Sequence, residues 1–252
     1  MAKVNYDERT ARAYKAVREV PRDGLTDWRE AVGRHLCPSP EMTLVDIGAG
    51  TGQFAAAFSD WFDVNVVAIE PSAAMREQIP RTAAIEVLEG DAIALPLADE
   101  SADAAWLSLV IHHIPDLELA AREIRRVLRP GAPVLIRQGF PGRLDRVELV
   151  RWFPETARAV TAYPSVTDTC NAFAAAGFHQ EALEPVRETY STSLAGFLGQ
   201  LDSFRDADTT MRTLTEDEFL RGKERLRRAV DDAADTTNRE TRSNWLDLLV
   251  FR

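Results

Sequence analysis

Short, nearly continuous apolar runs alternate along most of the chain with stretches whose apolar residues recur every three or four positions. The runs Leu44–Ile47, Val64–Ile69, Ala83–Leu88, Ala104–Ile111, Pro133–Ile136 and Trp245–Phe251 read as strands covered on both faces, since a strand with one wet face would alternate strictly. Glu181–Glu188 supplies a seventh. Helices are predicted over Gln53–Phe62, Ser72–Ile79 and Leu117–Leu128. The last of these gathers Leu117, Ala120, Ala121, Ile124 and Leu128 on one face and leaves Arg122, Glu123 and Arg125 outside. It stops at Arg129-Pro130-Gly131, which also opens the next strand. The alternation predicts an α/β domain with a mostly parallel sheet.

Two regions stand outside this rhythm. The first is segment 1–36, with helical patterns over Glu8–Glu19 and Asp27–Leu36. The second runs from about Ser191 to Arg242 and contains a capping box, Thr215-Glu216-Asp217-Glu218, ahead of Phe219, Leu220, Leu226 and Val230 at helical spacing. Arg221, Lys223, Arg225, Arg227 and Arg228 make the other face of that helix basic. This face is either a solvated surface or part of a lid, because late insertions in α/β sheets often enclose a ligand crevice.

Composition narrows the function. The 252 residues are 45% hydrophobic and 28% charged, and their net charge is −10, a balance that argues against binding a nucleic-acid backbone. No apolar run approaches the roughly 18 residues that span a bilayer. The N-terminal MAKVNYDERTARAYK lacks the apolar core of a signal peptide. Cys37 and Cys170 form no metal or redox spacing, and only four histidines occur, without an i, i+4 pair, so no metal site is expected. A reduced, cytoplasmic setting is the expectation.

Chemistry concentrates at Leu44-Val45-Asp46-Ile47-Gly48-Ala49-Gly50-Thr51-Gly52-Gln53, where a buried strand runs into alternate glycines and then a helix. A dinucleotide fingerprint would need glycine at position 53, which is Gln. The carboxylate of Asp46 would also repel a pyrophosphate at the helix N-terminus. It would attract a ligand bearing an amine or a sulfonium, so the loop reads as a site for a cationic nucleoside. Glu70 ends the second strand, where an acid accepts ribose hydroxyls, and Asp91 follows the third, where it can accept from an exocyclic amine.

With those residues in place, the chain resembles the class I S-adenosylmethionine-dependent methyltransferases of the small-molecule, ubiquinone and menaquinone methyltransferase type. The matching segments are VDIGAGTG at 45–52, AIEPS at 68–72, EGDAIALPL at 89–97, SLVIHHIPD at 108–116 and RRVLRPGAPVLI at 125–136. The resemblance implies a Rossmann-like seven-stranded sheet with an antiparallel last strand, helices on both faces and a helical lid. It implies S-adenosylmethionine as cofactor. The glycine loop (Gly48, Ala49, Gly50 and Gly52) would face its methionine end beside Asp46, Glu70 its ribose, and Asp91 and Ala92 its adenine, with Pro71 and Ser108 at the neighbouring strand ends. Arg18 would meet the methionyl carboxylate. The chain would divide into a helical cap over the cofactor (1–36), a core (37–190 with 243–252) and a substrate lid (191–242).

Transfer from a sulfonium needs alignment and, for a hydroxyl acceptor, removal of a proton. His112 and His113, after the fourth strand, are the candidate bases. On an extended chain they would point opposite ways, so that one at most faces the crevice. The fifth strand ends in Ile136-Arg137-Gln138-Gly139-Phe140, with no acid before Asp145 to orient an imidazole. A lone His base, an already acidic acceptor, and alignment alone therefore stay open. Trp152, Phe153, Tyr163, Phe173, Tyr190, Phe197 and Phe204 suit either the core or an apolar, aromatic acceptor. The expected activity is methyl transfer to O, N or C of a small molecule, with a quinone-like or other aromatic acceptor, or a secondary metabolite, in view. Two alternatives are a non-methylating cyclisation or elimination on the same fold and a non-catalytic regulatory subunit. Nucleic-acid methylation lacks its Asn-Pro-Pro-Tyr-like motif, since Ser-Leu-Val-Ile-His-His stands there.

Overall fold

The computed structural model describes residues 20–190, 192–234 and 242–252. The helical pattern expected over Glu8–Glu19, and Arg18 within it, lie outside the described residues. Seven strands form one sheet: β1 (Thr43–Ile47), β2 (Asn65–Ile69), β3 (Ile85–Leu88), β4 (Ala104–Ser108), β5 (Val134–Gln138), β6 (Gln180–Tyr190) and β7 (Arg242–Phe251). Their spatial order is β3-β2-β1-β4-β5-β7-β6. The pairings among β1 to β5 are parallel, while β7 runs antiparallel to both β5 and β6. This is the expected sheet with its last strand reversed.

The parallel strands are buried on both faces because helices cover both. Residues of one parity (Val45, Ile47, Val67, Ile69, Leu107 and Ile136) join helices α4 (Leu117–Val127) and α7 (Val166–Ala175) in one core. Residues of the other parity (Leu44, Val66, Ala68, Trp106 and Leu135) join α1 (Thr26–Leu36) and α2 (Gln53–Phe62) in a second. Of the segment expected as a cap, the described part, 20–36, packs into this second core: Leu25, Trp28 and Val32 are fully buried there. Helix α4 begins where Asp116 accepts a hydrogen bond from the Leu119 N–H at 2.9 Å, the capping interaction that fits an acid at this position.

Several elements depart from the expected bounds; the last strand begins at Arg242 rather than Trp245, and the fifth runs on to Gln138. Ser72–Ile79 is helical only over α3 (Ala73–Arg76). The first strand residues after it are Ile85 onward rather than Ala83 onward. The fourth strand stops at Ser108 instead of reaching Ile111, because Leu109 turns left-handed (φ 54°) and residues Ile111–His113 form a tight helical turn. The continued apolar run Leu109-Val110-Ile111 hid this exit, since apolarity reports burial and not backbone direction.

Between β5 and β7 lies a mostly helical region: α5 (Glu148–Trp152), α6 (Ala157–Val160), α7, then after β6 α8 (Leu194–Ala207) and α9 (Glu216–Ala234). Trp152 and Phe153 pack with Phe197, Leu201, Met211, Phe219 and Leu226 in a third, separate core. The capping box read at 215–218 is present: Thr215 N–H donates to Glu218 at 2.9 Å and Glu218 N–H to the Thr215 hydroxyl at 3.3 Å. The basic face of α9 is neutralised nearby, Arg225 by Glu155, Lys223 by Asp202 and Arg228 by Glu224. Among the described residues no helix is long and apolar enough to cross a membrane.

Trp106 is the keystone of the second core, with ring centroids 4.8 Å from Phe54, 5.1 Å from Phe58 and 5.9 Å from Trp28. Trp106→Ala is expected to cost about 3–5 kcal/mol, read as a lowered urea midpoint at unchanged slope.

Candidate functional site

At the C-terminal edge of β1, the parity that sends Leu44 into the second core sends Asp46 the same way. Asp46 is 1% exposed, and its Oδ2 has no hydrogen-bond partner. Burial, with the nearby Glu70 charge adding to it and the Ala55 N–H opposing, pushes its carboxyl up to about 8 from an ordinary 3.8. An acid held in that condition lacks a cation.

The turn after β1 rises over it. Gly50 has φ +57° and open space where a side chain would stand, whereas a Cβ at Gly52 (φ +81°) would meet Ile79 Cγ2 at 2.8 Å. Gly52 is therefore a packing glycine, and Gly50 keeps a backbone surface clear for close approach. Glu70, at the tip of β2, binds this turn to the next: one oxygen accepts from Gly50 N–H and the other from Ser72 N–H, each at 2.9 Å. Each oxygen keeps a lone pair for a further donor. Burial raises the Glu70 pKa, against the lowering effect of those two N–H groups and of Arg76. Arg76, which the sequence did not single out, locks the tip by donating to the carbonyls of Glu70 and Pro71 at 2.8 and 2.9 Å. Asp91 is exposed and accepts from Ile93 N–H at 3.0 Å, Pro71 is exposed, and Ala92 is buried in the first core.

Beside the glycine turn a cavity of about 290 Å³ opens between the sheet edge and the helices of 148–207. Asp46, Gly48, Ala49, Gly50, Ser108, His112 and His113 line it. Gly52, Glu70, Pro71, Asp91 and Ala92 are not among its lining residues. Both histidines therefore face the cavity, which corrects the expectation that one at most would do so: they stand on a helical turn instead of an extended chain, with ring centroids 4.1 Å apart. The His112 ring stacks on Tyr163 at 4.0 Å. Gln138 Nε2 lies 3.3 Å from the Gly139 carbonyl and 3.4 Å from His112 Nδ1. An amide nitrogen only donates, so Nδ1 accepts and the His112 ring proton sits on Nε2. His113 stands at the mouth with part of its ring open to solvent, and packing of the remainder lowers its pKa from 6.5. It is neutral at pH 7 and able to take a proton.

The floor is formed by an ion pair that the sequence reading did not find. Arg137, at the end of β5, pairs with Glu188 of β6 across the intervening strand β7, and both are buried. Arg137 also donates to Ser108 Oγ at 3.1 Å and lies over the rings of Trp28 and Phe54. Burial alone would raise the Glu188 carboxyl, but the Arg137 charge and hydrogen bonds from Arg137, Asn244 and Tyr190 hold it below its ordinary range. Only the strand order could reveal this partner, since 51 residues separate the two. Of the seven aromatic candidates, Tyr163, Tyr190, Phe197 and Phe204 line the cavity. Trp152 and Phe153 fill the third core and Phe173 the first.

Residues 45–136 match the family described as a methyltransferase domain. The malonyl-acyl-carrier-protein O-methyltransferase of Erwinia pyrifoliae is 34% identical over 143 residues, 55% of this chain and 52% of its own length. A ubiquinone/menaquinone biosynthesis C-methyltransferase of a Caulobacter species is 33% identical over 142 residues, 51% of this chain and 56% of its own. The chain thus spans about half the length of these curated relatives. Among solved structures, a protein from an antibiotic biosynthesis pathway of Anabaena variabilis, described as a methyltransferase, superposes with a TM-score of 0.73 at 19% identity, covering 94% of this chain and 99% of that one. Residues 45–136 thus match a methyltransferase domain, within a chain that has the fold of this solved neighbour.

The residues present fit the cofactor that this class implies: an unpartnered buried carboxylate for a cation, a glycine with open space above it, and an acid at the second strand tip. Because the Asp46 proton must leave before a cation is held there, affinity for S-adenosylmethionine is expected to fall as pH drops below about 8, approaching tenfold per unit. Asp46→Asn should flatten that profile. The same raised pKa means that folding stability is lost as pH rises from 3.8 through 8, so Asp46→Asn should also raise the melting temperature of the unliganded protein at pH 9. The two glycines should separate in the same titrations. Gly52→Ala is expected to destabilise the fold, and Gly50→Ala to leave it folded, at about 1–2 kcal/mol of backbone strain, with at least tenfold weaker cofactor binding.

Proposed function

We propose that the whole chain is a methyltransferase that moves a methyl group from S-adenosylmethionine to a small-molecule acceptor held in the cavity beside the glycine turn. The observation that carries this reading is Asp46, a buried acid without a cation, at the one rim where the glycine turn, Glu70 and the histidine pair converge. Asp46 holds the charged end of the cofactor, Gly48, Ala49 and Gly50 pass over it, Glu70 accepts from the ribose, and Asp91 and Ala92 border the adenine. When bound, S-adenosylmethionine supplies a methyl carbon already attached to a positively charged sulfur, which leaves as a neutral thioether.

The chain's own work is alignment, exclusion of water and removal of a proton. Tyr163, Phe197 and Phe204, with the aliphatic side chains of α5, give the cavity an apolar wall suited to an aromatic or quinone-like acceptor. The helices of 191–242 serve as its lid. His113, neutral at pH 7, takes the proton of an acceptor hydroxyl or amine. His112, its ring proton fixed on Nε2 by Gln138, donates toward the acceptor instead of drawing a proton from it.

Calorimetry with S-adenosylhomocysteine tests the cofactor site, and methyl-labelled S-adenosylmethionine offered with cell extracts tests transfer through a product heavier by one methyl. Absence of S-adenosylhomocysteine binding would end the reading. His113→Ala is expected to lower turnover about 100-fold or more at unchanged cofactor affinity, with a smaller loss for His112→Ala. Full rate in both variants would remove the base.

A further inference from the structure

Gln138 ends β5 and lines the cavity, yet it is only 1% exposed. Its amide nitrogen has two acceptors in reach, the Gly139 carbonyl at 3.3 Å and His112 Nδ1 at 3.4 Å. These contacts fix which end of the amide is which, because a flipped amide would set two acceptors against each other. They also leave its oxygen over: Oε1 is buried and has no partner. A buried acceptor without a donor is costly, and one that borders a cavity is completed by an ordered water or by a donor on a ligand.

The charges around the cavity indicate the kind of donor that completes it. Among the described lining residues the two guanidiniums are already paired, Arg137 with Glu188 and Arg242 with Glu148, the latter through two hydrogen bonds of 2.9 and 2.7 Å. Asp46, the acid without a cation, is taken up by the cofactor in the reading above. A carboxylate or phosphate on the acceptor would therefore find both of these guanidiniums occupied, while a neutral hydroxyl or amine finds a waiting oxygen.

We propose that Gln138 selects the acceptor: its Oε1 takes a hydrogen bond from a neutral hydroxyl or amine of the small molecule, beside His112 and within reach of the aromatic wall. This deepens the methyltransferase reading and rests on it. It makes the methylated molecule an alcohol, phenol or amine of low charge, and excludes an anionic head group buried in the cavity. Gln138 is a specificity-determining residue, and its side chain also sets the His112 tautomer.

The test uses the full chain saturated with S-adenosylhomocysteine and three probes of nearly equal shape: 2-naphthol, 2-naphthylamine and naphthalene, each titrated by calorimetry or fluorescence. The wild type is expected to bind naphthol or naphthylamine at least tenfold more tightly than naphthalene. Gln138→Leu should abolish that ratio while keeping S-adenosylhomocysteine affinity within about twofold. Gln138→Met, closer in shape, should do the same and replaces the leucine variant if that one does not fold. In the absence of any probe, both should melt at or above the wild-type temperature, because the orphan oxygen is gone. A wild type that binds naphthalene as tightly as naphthol and naphthylamine, or binds none of the three, overturns the proposal. So does a ratio that survives in the variants, or an acidic probe such as 2-naphthoate binding more tightly than 2-naphthol. Loss of S-adenosylhomocysteine binding in the wild type itself would instead overturn the cofactor reading beneath it.

Discussion

A parallel sheet covered on both faces leaves few places for a charge, and that constraint organises this molecule. Along β1, β2, β4 and β5 the side chains within the layers are apolar, and polar groups emerge at the carboxyl ends, where successive strands finish on one edge. Asp46, Glu70, Ser108, Arg137 and Gln138 all stand at that boundary. Among them Asp46 and Gln138 are buried and each keeps one oxygen without a hydrogen-bond partner. Asp46 is the extreme case: the interior disfavours its charge, and a bound cation would restore it.

The two ends of the edge use polar groups differently. On the β2 side, Glu70 and Arg76 tie the glycine turn to the next loop, so the backbone surface is set before any ligand arrives. On the β5 side, the buried charges cancel within the protein. Arg137 and Glu188 span β7, and Arg242 and Glu148 join the last strand to α5. Breaking either pair would strand a charge in a dry region, which is more damaging than never having had one. These pairs stiffen the floor of the cavity without spending a charge on the ligand.

Helices α5, α8 and α9 have a core of their own, built around Trp152, Phe153, Phe197 and Phe219. A unit with its own core can be repacked or exchanged without disturbing the sheet. Residues 45–136, on the sheet side of the cavity, are those that match the methyltransferase domain.

Much of the cofactor half was legible in the residues themselves. Buried strands announce themselves by continuous apolarity, and an acid, glycines or a second acid at their ends stand out because the local pattern has no structural use for them. Asp46, Gly50 and Glu70 are of this kind. The same signal was present in Arg137-Gln138, two polar residues closing an apolar run, but its meaning depended on partners far along the chain. The strand carrying the histidines was misjudged because an apolar run continued past the point where Leu109 turned the backbone. Local order along the chain thus determined the strands of a mostly parallel sheet and the acids at its edge, since those follow from short-range burial patterns, whereas the reversed last strand was an expectation from the resemblance alone. Tertiary structure alone decided that Glu188 would answer Arg137, that both histidines would share one cavity, and that a single amide oxygen would be left without a partner, because each depends on which distant strands become neighbours.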